Sequence, residues 1–95
     1  MITREEYDFF KLIKKEWQKN YIVRDKDKNL YLLKNKPLKS ETYCMWCGNK
    51  NLEFNILMRK FFDINILKSI KFTDEEAKTI REYIEEYEEY NEVEK

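Results

Sequence analysis

The stretch Tyr21-Ile22-Val23-Arg24-Asp25-Lys26-Asp27-Lys28-Asn29-Leu30-Tyr31-Leu32-Leu33 decides the fold class. Its two ends are rich in β-branched, aromatic and aliphatic residues, and the middle, residues 25–29, is polar and typical of a turn. This pattern predicts a β-hairpin. The carboxylates of Asp25 and Asp27 have two interpretations: they bond to the backbone of the turn itself, or they serve as oxygen ligands for a cation.

A second motif, Tyr43-Cys44-Met45-Trp46-Cys47-Gly48, holds both cysteines and the only glycine of the chain. C-x-x-C-G is typical of the metal-binding turns of zinc ribbons, because two intervening residues allow both thiolates to face one ion. Gly48 is expected to adopt a positive φ there. A strand that enters through Thr42 and Tyr43 and a strand that leaves over residues 52–57 would make this turn the tip of a second hairpin.

Zinc takes four ligands, and the chain offers two cysteines and no histidine. We predict a structural zinc at Cys44 and Cys47, with Asp25 and Asp27 as oxygen donors; Glu41 and Asp63 are further candidates. The cysteine pair of a second copy is the other possible source of ligands, and carboxylates of the same chain are slightly favoured because a hairpin tip lies close to other loops, so we expect a monomer or a metal-bridged dimer. Two alternatives stay open, namely that the cysteines are ordinary packing residues or that they form a thiol redox pair.

Helices are predicted on both sides of the hairpins. A capping box formed by Thr3 and Glu6 opens the first helix, which runs to about Lys19. Its buried face is predicted to contain Tyr7, Phe10, Ile13 and Trp17, widened by Phe9 and Leu12.

A second capping box, Thr73 with Glu76, opens a predicted helix that reaches about Tyr90. The residues expected on its buried stripe are Ala77, Ile80, Ile84 and Tyr87, widened by Tyr83 and Tyr90. The residues expected on its outward face are Glu82, Glu85, Glu86, Glu88 and Glu89. Residues 58–72 are too dense in apolar side chains for one period, so that a short helix and a bent strand both fit.

These elements together predict one α+β domain over residues 1–95, with the order αββββα. Two β-hairpins lie between an N-terminal helix and an acidic C-terminal helix.

Charge is distributed unevenly along the chain. Residues 1–72 carry 16 basic and 9 acidic side chains, a net charge of +7, whereas residues 73–95 carry 3 basic and 10 acidic side chains, a net charge of −7. The acidic helix is interpreted either as a solvated face or as a surface that displays carboxylates where a partner expects phosphates. Its candidate partner-binding residues are Glu82, Glu85, Glu86 and Glu89.

Several function classes are disfavoured by residues that the sequence lacks. Without histidine, the commonest general base is missing, and neither a phosphate-binding glycine loop nor a nucleophile elbow is present, so we expect no enzyme. Basic and aromatic residues alternate over residues 11–36, which is typical of a weak nucleic-acid face, but no known reading motif accompanies them, and we expect no direct nucleic-acid contact.

No apolar run approaches the length of a membrane span and no signal peptide opens the chain, so we expect the protein to lie in the cytoplasm without membrane contact.

The run Tyr21-Ile22-Val23-Arg24-Asp25-Lys26-Asp27, followed by Leu30-Tyr31 and by Lys36-Pro37, resembles a family of small phage and prophage proteins of Gram-positive bacteria. Arg4-Glu5-Glu6-Tyr7 resembles the opening of their first helix, and Ile70-Lys71-Phe72-Thr73-Asp74-Glu75-Glu76 resembles their apolar stretch before an acidic patch. The cysteine motif is a departure from that pattern.

The resemblance implies a non-enzymatic accessory protein that acts in the host bacterial cytoplasm. In size and composition the chain is similar to anti-CRISPR proteins, which implies an inhibitor that binds a host defence protein, with a type II CRISPR nuclease as the leading candidate. The alternatives are a nucleic-acid-binding phage regulator and a C-x-x-C redox protein.

Overall fold

The computed structural model describes residues 1–50 and 67–92, which form an α+β domain with helices at both ends and two small antiparallel sheets between them. In chain order the elements are α1 (Arg4–Leu12), α2 (Lys15–Gln18), β1 (Tyr21–Arg24), β2 (Leu30–Leu33), β3 (Leu38–Ser40), β4 (Met45–Cys47), β5 (Lys78–Thr79) and α3 (Ile80–Tyr90). The predicted fold class is confirmed. The predicted strand over 52–57 lies outside the described residues.

The first helix begins as predicted and ends early. Thr3 and Glu6 form the predicted capping box, each accepting a hydrogen bond from the other's backbone N–H. The helix was expected to continue to Lys19, but Ile13 is extended, and a separate short helix, α2, follows. The Gln18 side chain donates to the Ile13 carbonyl at 2.8 Å, so that a carbonyl at the break gains a partner. Leu12, predicted to be buried, is 85% exposed, whereas Ile13 and Trp17 of the predicted stripe are partly buried and pack against the core.

The predicted first hairpin is confirmed. β1 and β2 pair antiparallel with Tyr21 opposite Leu33 and Arg24 opposite Leu30. The turn closes with a hydrogen bond from the Asp25 amide to the Asn29 carbonyl, and the Asp27 carboxylate accepts the Asn29 amide, as expected of a turn residue. β5 pairs with the other edge of β1, giving a three-stranded sheet with the order β2-β1-β5.

Successive residues of a strand point to opposite faces of the sheet, and apolar side chains cover both faces of this one. On one face lies the helix-side cluster, which comprises Ile2, Tyr7, Phe10, Ile22, Leu30, Leu32, Leu67, Ile70, Ile80, Tyr83, Ile84 and Tyr87. On the other lies the hairpin-side cluster, which comprises Val23, Tyr31, Leu33, Trp46 and Ala77.

The second hairpin is placed differently from the prediction. β3 pairs with β4, and the turn at residues 41–44 joins them, so that Cys44 is in the turn and Cys47 ends a strand opposite Leu38. The strand expected at Thr42 and Tyr43 is therefore wrong. Gly48 does not have a positive φ. A Cβ atom at Gly48 would meet Leu33 Cδ2 at 2.9 Å, so any larger residue there would require the buried Leu33 side chain to shift.

The last helix starts later than predicted. It begins at Ile80, not after Thr73, and its capping box is formed by Thr79 and Glu82. Thr79 also pairs with Tyr21 across the sheet, and this long-range pairing keeps the preceding residues extended or turned. Ala77, assigned by sequence to the helical stripe, lies in the hairpin-side cluster instead.

Candidate functional site

Helix α3 separates its apolar and acidic residues onto two faces. Ile80, Ile84 and Tyr87 are buried as predicted, together with Tyr83. The predicted partner-binding glutamates lie on the other side, but Tyr90, predicted to widen the buried stripe, is 74% exposed.

Two of the four predicted partner-binding glutamates have structural roles. The Glu82 carboxylate accepts the Thr79 amide at 3.0 Å and completes the helix cap. Glu86 accepts a hydrogen bond from Lys78 Nζ at 2.7 Å and lies 4.0 Å from the amino group of Met1. Both carboxylates therefore stabilise the end of the domain where α3 begins.

Glu85 and Glu89 are the other two, and both are exposed. Within residues 1–50 and 67–92, neither carboxylate forms an ion pair or a hydrogen bond. Their charge is therefore available to a partner without loss of an ion pair or hydrogen bond to the described part of the chain.

Glu88, assigned by sequence to the outward face, is buried. Its carboxylate accepts the Tyr7 hydroxyl at 2.8 Å and lies 3.8 Å from Lys11 Nζ. The Tyr7 ring stacks on Tyr87 with centroids 4.4 Å apart. Burial, followed by the bond to Glu88, raises the pKa of Tyr7. The spacing of Glu88 from Ile84 is one helical turn, a signal that places it on the buried stripe.

The predicted metal ligands do not come together. Cys44 has a φ of 55° and its Sγ contacts the Glu41 carbonyl at 3.6 Å, while Cys47 is exposed; neither cysteine is in a disulfide. The carboxylate of Asp27 is bonded to Asn29. Among the described residues, no group of three or more histidine, cysteine, aspartate or glutamate side chains is arranged to hold a metal ion. Asp63 lies outside them. The structural zinc therefore stays a prediction, both with carboxylates of the same chain and with the cysteines of a second copy as the remaining ligands.

Asp25 has a role that the sequence did not indicate. It is buried, it accepts the Trp46 amide at 2.8 Å, and it lies 3.9 Å from Lys50 Nζ. Burial raises the pKa of Asp25, and the bond from Trp46 and the charge of Lys50 offset part of that rise. Asp25 therefore joins the first turn to β4 across 21 residues of sequence. Its position next to a turn gave no signal of this long-range contact.

The comparisons with known proteins add no relative: no family model, no curated protein and no solved structure matches the chain. In the described part of the molecule, every helix is too short or too polar to cross a membrane.

Proposed function

We propose that this protein is a non-enzymatic, phage-encoded inhibitor that binds a host defence protein through the acidic face of α3. A type II CRISPR nuclease is the leading candidate for the partner. The observation that supports this interface is the pair Glu85 and Glu89, two exposed carboxylates on one helix face that have no ion-pair or hydrogen-bond partner in residues 1–50 and 67–92.

The spacing of the glutamates supports competition with a nucleic acid. Glu82 and Glu89 are seven residues apart, which is about 10 Å along a helix, and the acidic face holds four of the five glutamates within that length. Glu86 is paired with Lys78, which leaves Glu82, Glu85 and Glu89 without an ion pair among the described residues. One strand of a nucleic-acid duplex carries about three phosphates over the same distance. The spacing of these three charges is thus comparable to that of the ligand that the face would displace from a basic channel.

The rigidity of the face is a second support. Helix α3 is capped at its first turn by Thr79 and Glu82, and it packs against α1 through Tyr7 and Tyr87. A surface held in one conformation loses little entropy when a partner docks.

The test is inhibition of DNA cleavage by a type II CRISPR nuclease loaded with its guide RNA. We expect the wild-type protein to inhibit, and the double variant Glu85→Lys/Glu89→Lys to need at least about tenfold more protein for equal inhibition, because like charges facing each other weaken binding. Raising the salt concentration should weaken wild-type inhibition, since exposed charges are screened.

The matched control is Glu16→Lys/Glu41→Lys, which makes the same change in net charge on α2 and on the β3–β4 turn. It should inhibit as the wild type does, and thermal melts should show both variants folded. Lack of inhibition by the wild type, or equal loss in both variants, would contradict the acidic-face interface.

A further inference from the structure

A basic groove lies between the first hairpin turn and the segment that precedes β5. It has a volume of about 390 Å³, and its walls include Lys26 and Lys28 from the turn and Lys68 and Lys71 from the segment. This groove extends beyond the basic and aromatic residues 11–36, because it combines lysines that are about 40 positions apart in the chain.

The two walls are held together by one side chain. The Arg24 guanidinium donates to the carbonyl of Lys28 on the turn side, and to those of Ile70 at 2.7 Å and Leu67 at 3.0 Å on the other side. The Ser69 amide and hydroxyl also donate to the buried carboxylate of Glu6. The groove is therefore formed before any ligand arrives, which lowers the entropic cost of binding.

The charge of the groove is strongly positive. Of its described lining residues, five are cationic and one is anionic, a net of +4. The anionic residue is Asp25, whose carboxylate is already engaged with Trp46 and Lys50. The side chains of Lys26, Lys28, Lys68 and Lys71 form no ion pair with any residue that the structure describes. Four ammonium groups at one groove, without an ion-pair partner in the described ranges, create a site for a polyanion.

The nearby carboxylates form no ion pair with these lysines among the described residues. Asp27 accepts two hydrogen bonds from Asn29, and Asp74 accepts the backbone amide of Lys71 at 3.0 Å. Both carboxylates are held in turns by these bonds and keep their negative charge, which lowers the positive charge of the surroundings without occupying the lysines.

We propose that this groove binds the phosphodiester backbone of a single-stranded nucleic acid. Lysines act as point charges that neutralise successive phosphates without reading a sequence. A volume of about 390 Å³ exceeds ten times the roughly 30 Å³ that one water molecule occupies in the liquid, so the groove is larger than a single inorganic anion requires. The half-buried ring of Phe72 forms an apolar part of the wall beside the lysines, as in grooves that hold single strands.

The experiment measures fluorescence anisotropy of labelled 12-nucleotide single-stranded RNA and DNA of mixed sequence, titrated with the full chain at several salt concentrations. For about four phosphate contacts, the logarithm of the association constant should fall with the logarithm of salt concentration with a slope of about −3. Neither a nuclease nor α3 takes part, so the result is independent of the proposed inhibitor function.

The test variant is Lys26→Gln/Lys68→Gln/Lys71→Gln, and the matched control is Lys15→Gln/Lys19→Gln/Lys34→Gln, which removes three exposed lysines from elsewhere. The test variant should bind at least about tenfold more weakly at low salt, with a slope shallower by about two. The control should change neither quantity, and Lys26→Gln alone should have an intermediate effect.

Three results would overturn the proposal. The first is no binding of either oligonucleotide by the wild type at low salt, and the second is equal loss of binding in the test and control variants. The third is displacement of the oligonucleotide by a polyglutamate peptide of equal charge at equal concentration, which would assign the groove to an acidic protein surface.

Discussion

The helix-side and hairpin-side clusters cover opposite faces of one sheet, but their polar groups are satisfied to different degrees. On the helix side, the buried Glu88 is bonded to Tyr7, and the buried Glu6 is bonded to Thr3 and Ser69. On the hairpin side, Trp46 Nε1 is buried and has no hydrogen-bond partner among the described residues.

This difference in hydrogen bonding affects how much each side of the sheet contributes to stability. An unsatisfied buried donor costs about 1–3 kcal/mol. Among the described residues, the helix-side cluster is also the larger of the two and contributes most of the apolar burial. The hairpin side retains a group that would gain a hydrogen bond if its surroundings changed. Both cysteines lie close in sequence to Trp46, whose indole N–H is the unsatisfied donor. Cys47 is the last residue of β4, and Cys44 is in the turn before it.

The largest expected effect is the loss of a helix-side anchor. Phe10 has no exposed surface, so Phe10→Ala should lower the free energy of unfolding by about 3–5 kcal/mol through lost burial and the cavity left behind. Leu12→Ala on the same helix is the control, and it should change stability by less than about 0.5 kcal/mol because Leu12 is exposed. Urea unfolding measures both values. Similar losses of stability in the two variants would contradict the packing of α1 against the sheet through Phe10.

An intermediate effect should distinguish satisfied from unsatisfied donors. Tyr7→Phe removes the hydroxyl bonded to Glu88 and should cost about 1.5–3 kcal/mol, because a hydrogen bond to a charged, buried group is lost. Trp46→Phe removes a donor that has no partner among the described residues, and it should cost less than about 1 kcal/mol, since relief of the unsatisfied N–H offsets the lost volume. Thermal or urea unfolding of the two variants decides the matter. A greater loss for Trp46→Phe would mean that the indole N–H has a stabilising role.

The smallest effects should appear as opposite responses to pH. Burial alone would raise the pKa of Glu6, but hydrogen bonds from Ser69 and Thr3 outweigh it and lower the pKa below 4.5. Ionised Glu6 therefore stabilises the fold above about pH 4.5, and this contribution is lost as the pH falls through the pKa of the folded state. Glu6→Gln should remove that part of the acid sensitivity.

Asp25 should behave in the reverse sense. Burial raises its pKa above 3.8, so its ionisation disfavours the folded state as the pH rises above 3.8, until the pKa of the folded state is passed. As the pH rises over that range, the wild type should therefore lose free energy of unfolding relative to Asp25→Asn. Relative to Glu6→Gln, the wild type should instead gain free energy of unfolding as the pH rises. Urea unfolding at intervals between pH 3 and 7 measures both differences. The same sign for both would contradict the distinction between the two carboxylates.

Features set by neighbouring residues could be predicted from the sequence, and features set by distant contacts could not. The first hairpin and the Thr3–Glu6 cap are local, and both are present. The start of α3 was missed because Thr73 and Thr79 both offer a capping box, and the choice between them depends on pairing with Tyr21.

The same distinction applies to the candidate sites. The exposure of Glu85 and Glu89 follows from helical periodicity. The engagement of Glu86 depends on Lys78, and the basic groove depends on Arg24 reaching the carbonyls of Leu67 and Ile70. No local pattern contains these contacts, since each is created by the packing of the whole domain.

Thr79 is both the last residue of β5 and the N-cap of α3, so no linker separates the central sheet from the acidic helix. The Ile80 amide also donates to the Asn20 carbonyl just before β1, which fixes the junction on a second side. A partner that docks on α3 thus meets a surface that cannot swing away from the rest of the domain. Encounter rates should be set mainly by diffusion and charge, and substitutions on the helix that leave its charge unchanged should alter the lifetime of the complex more than its rate of formation.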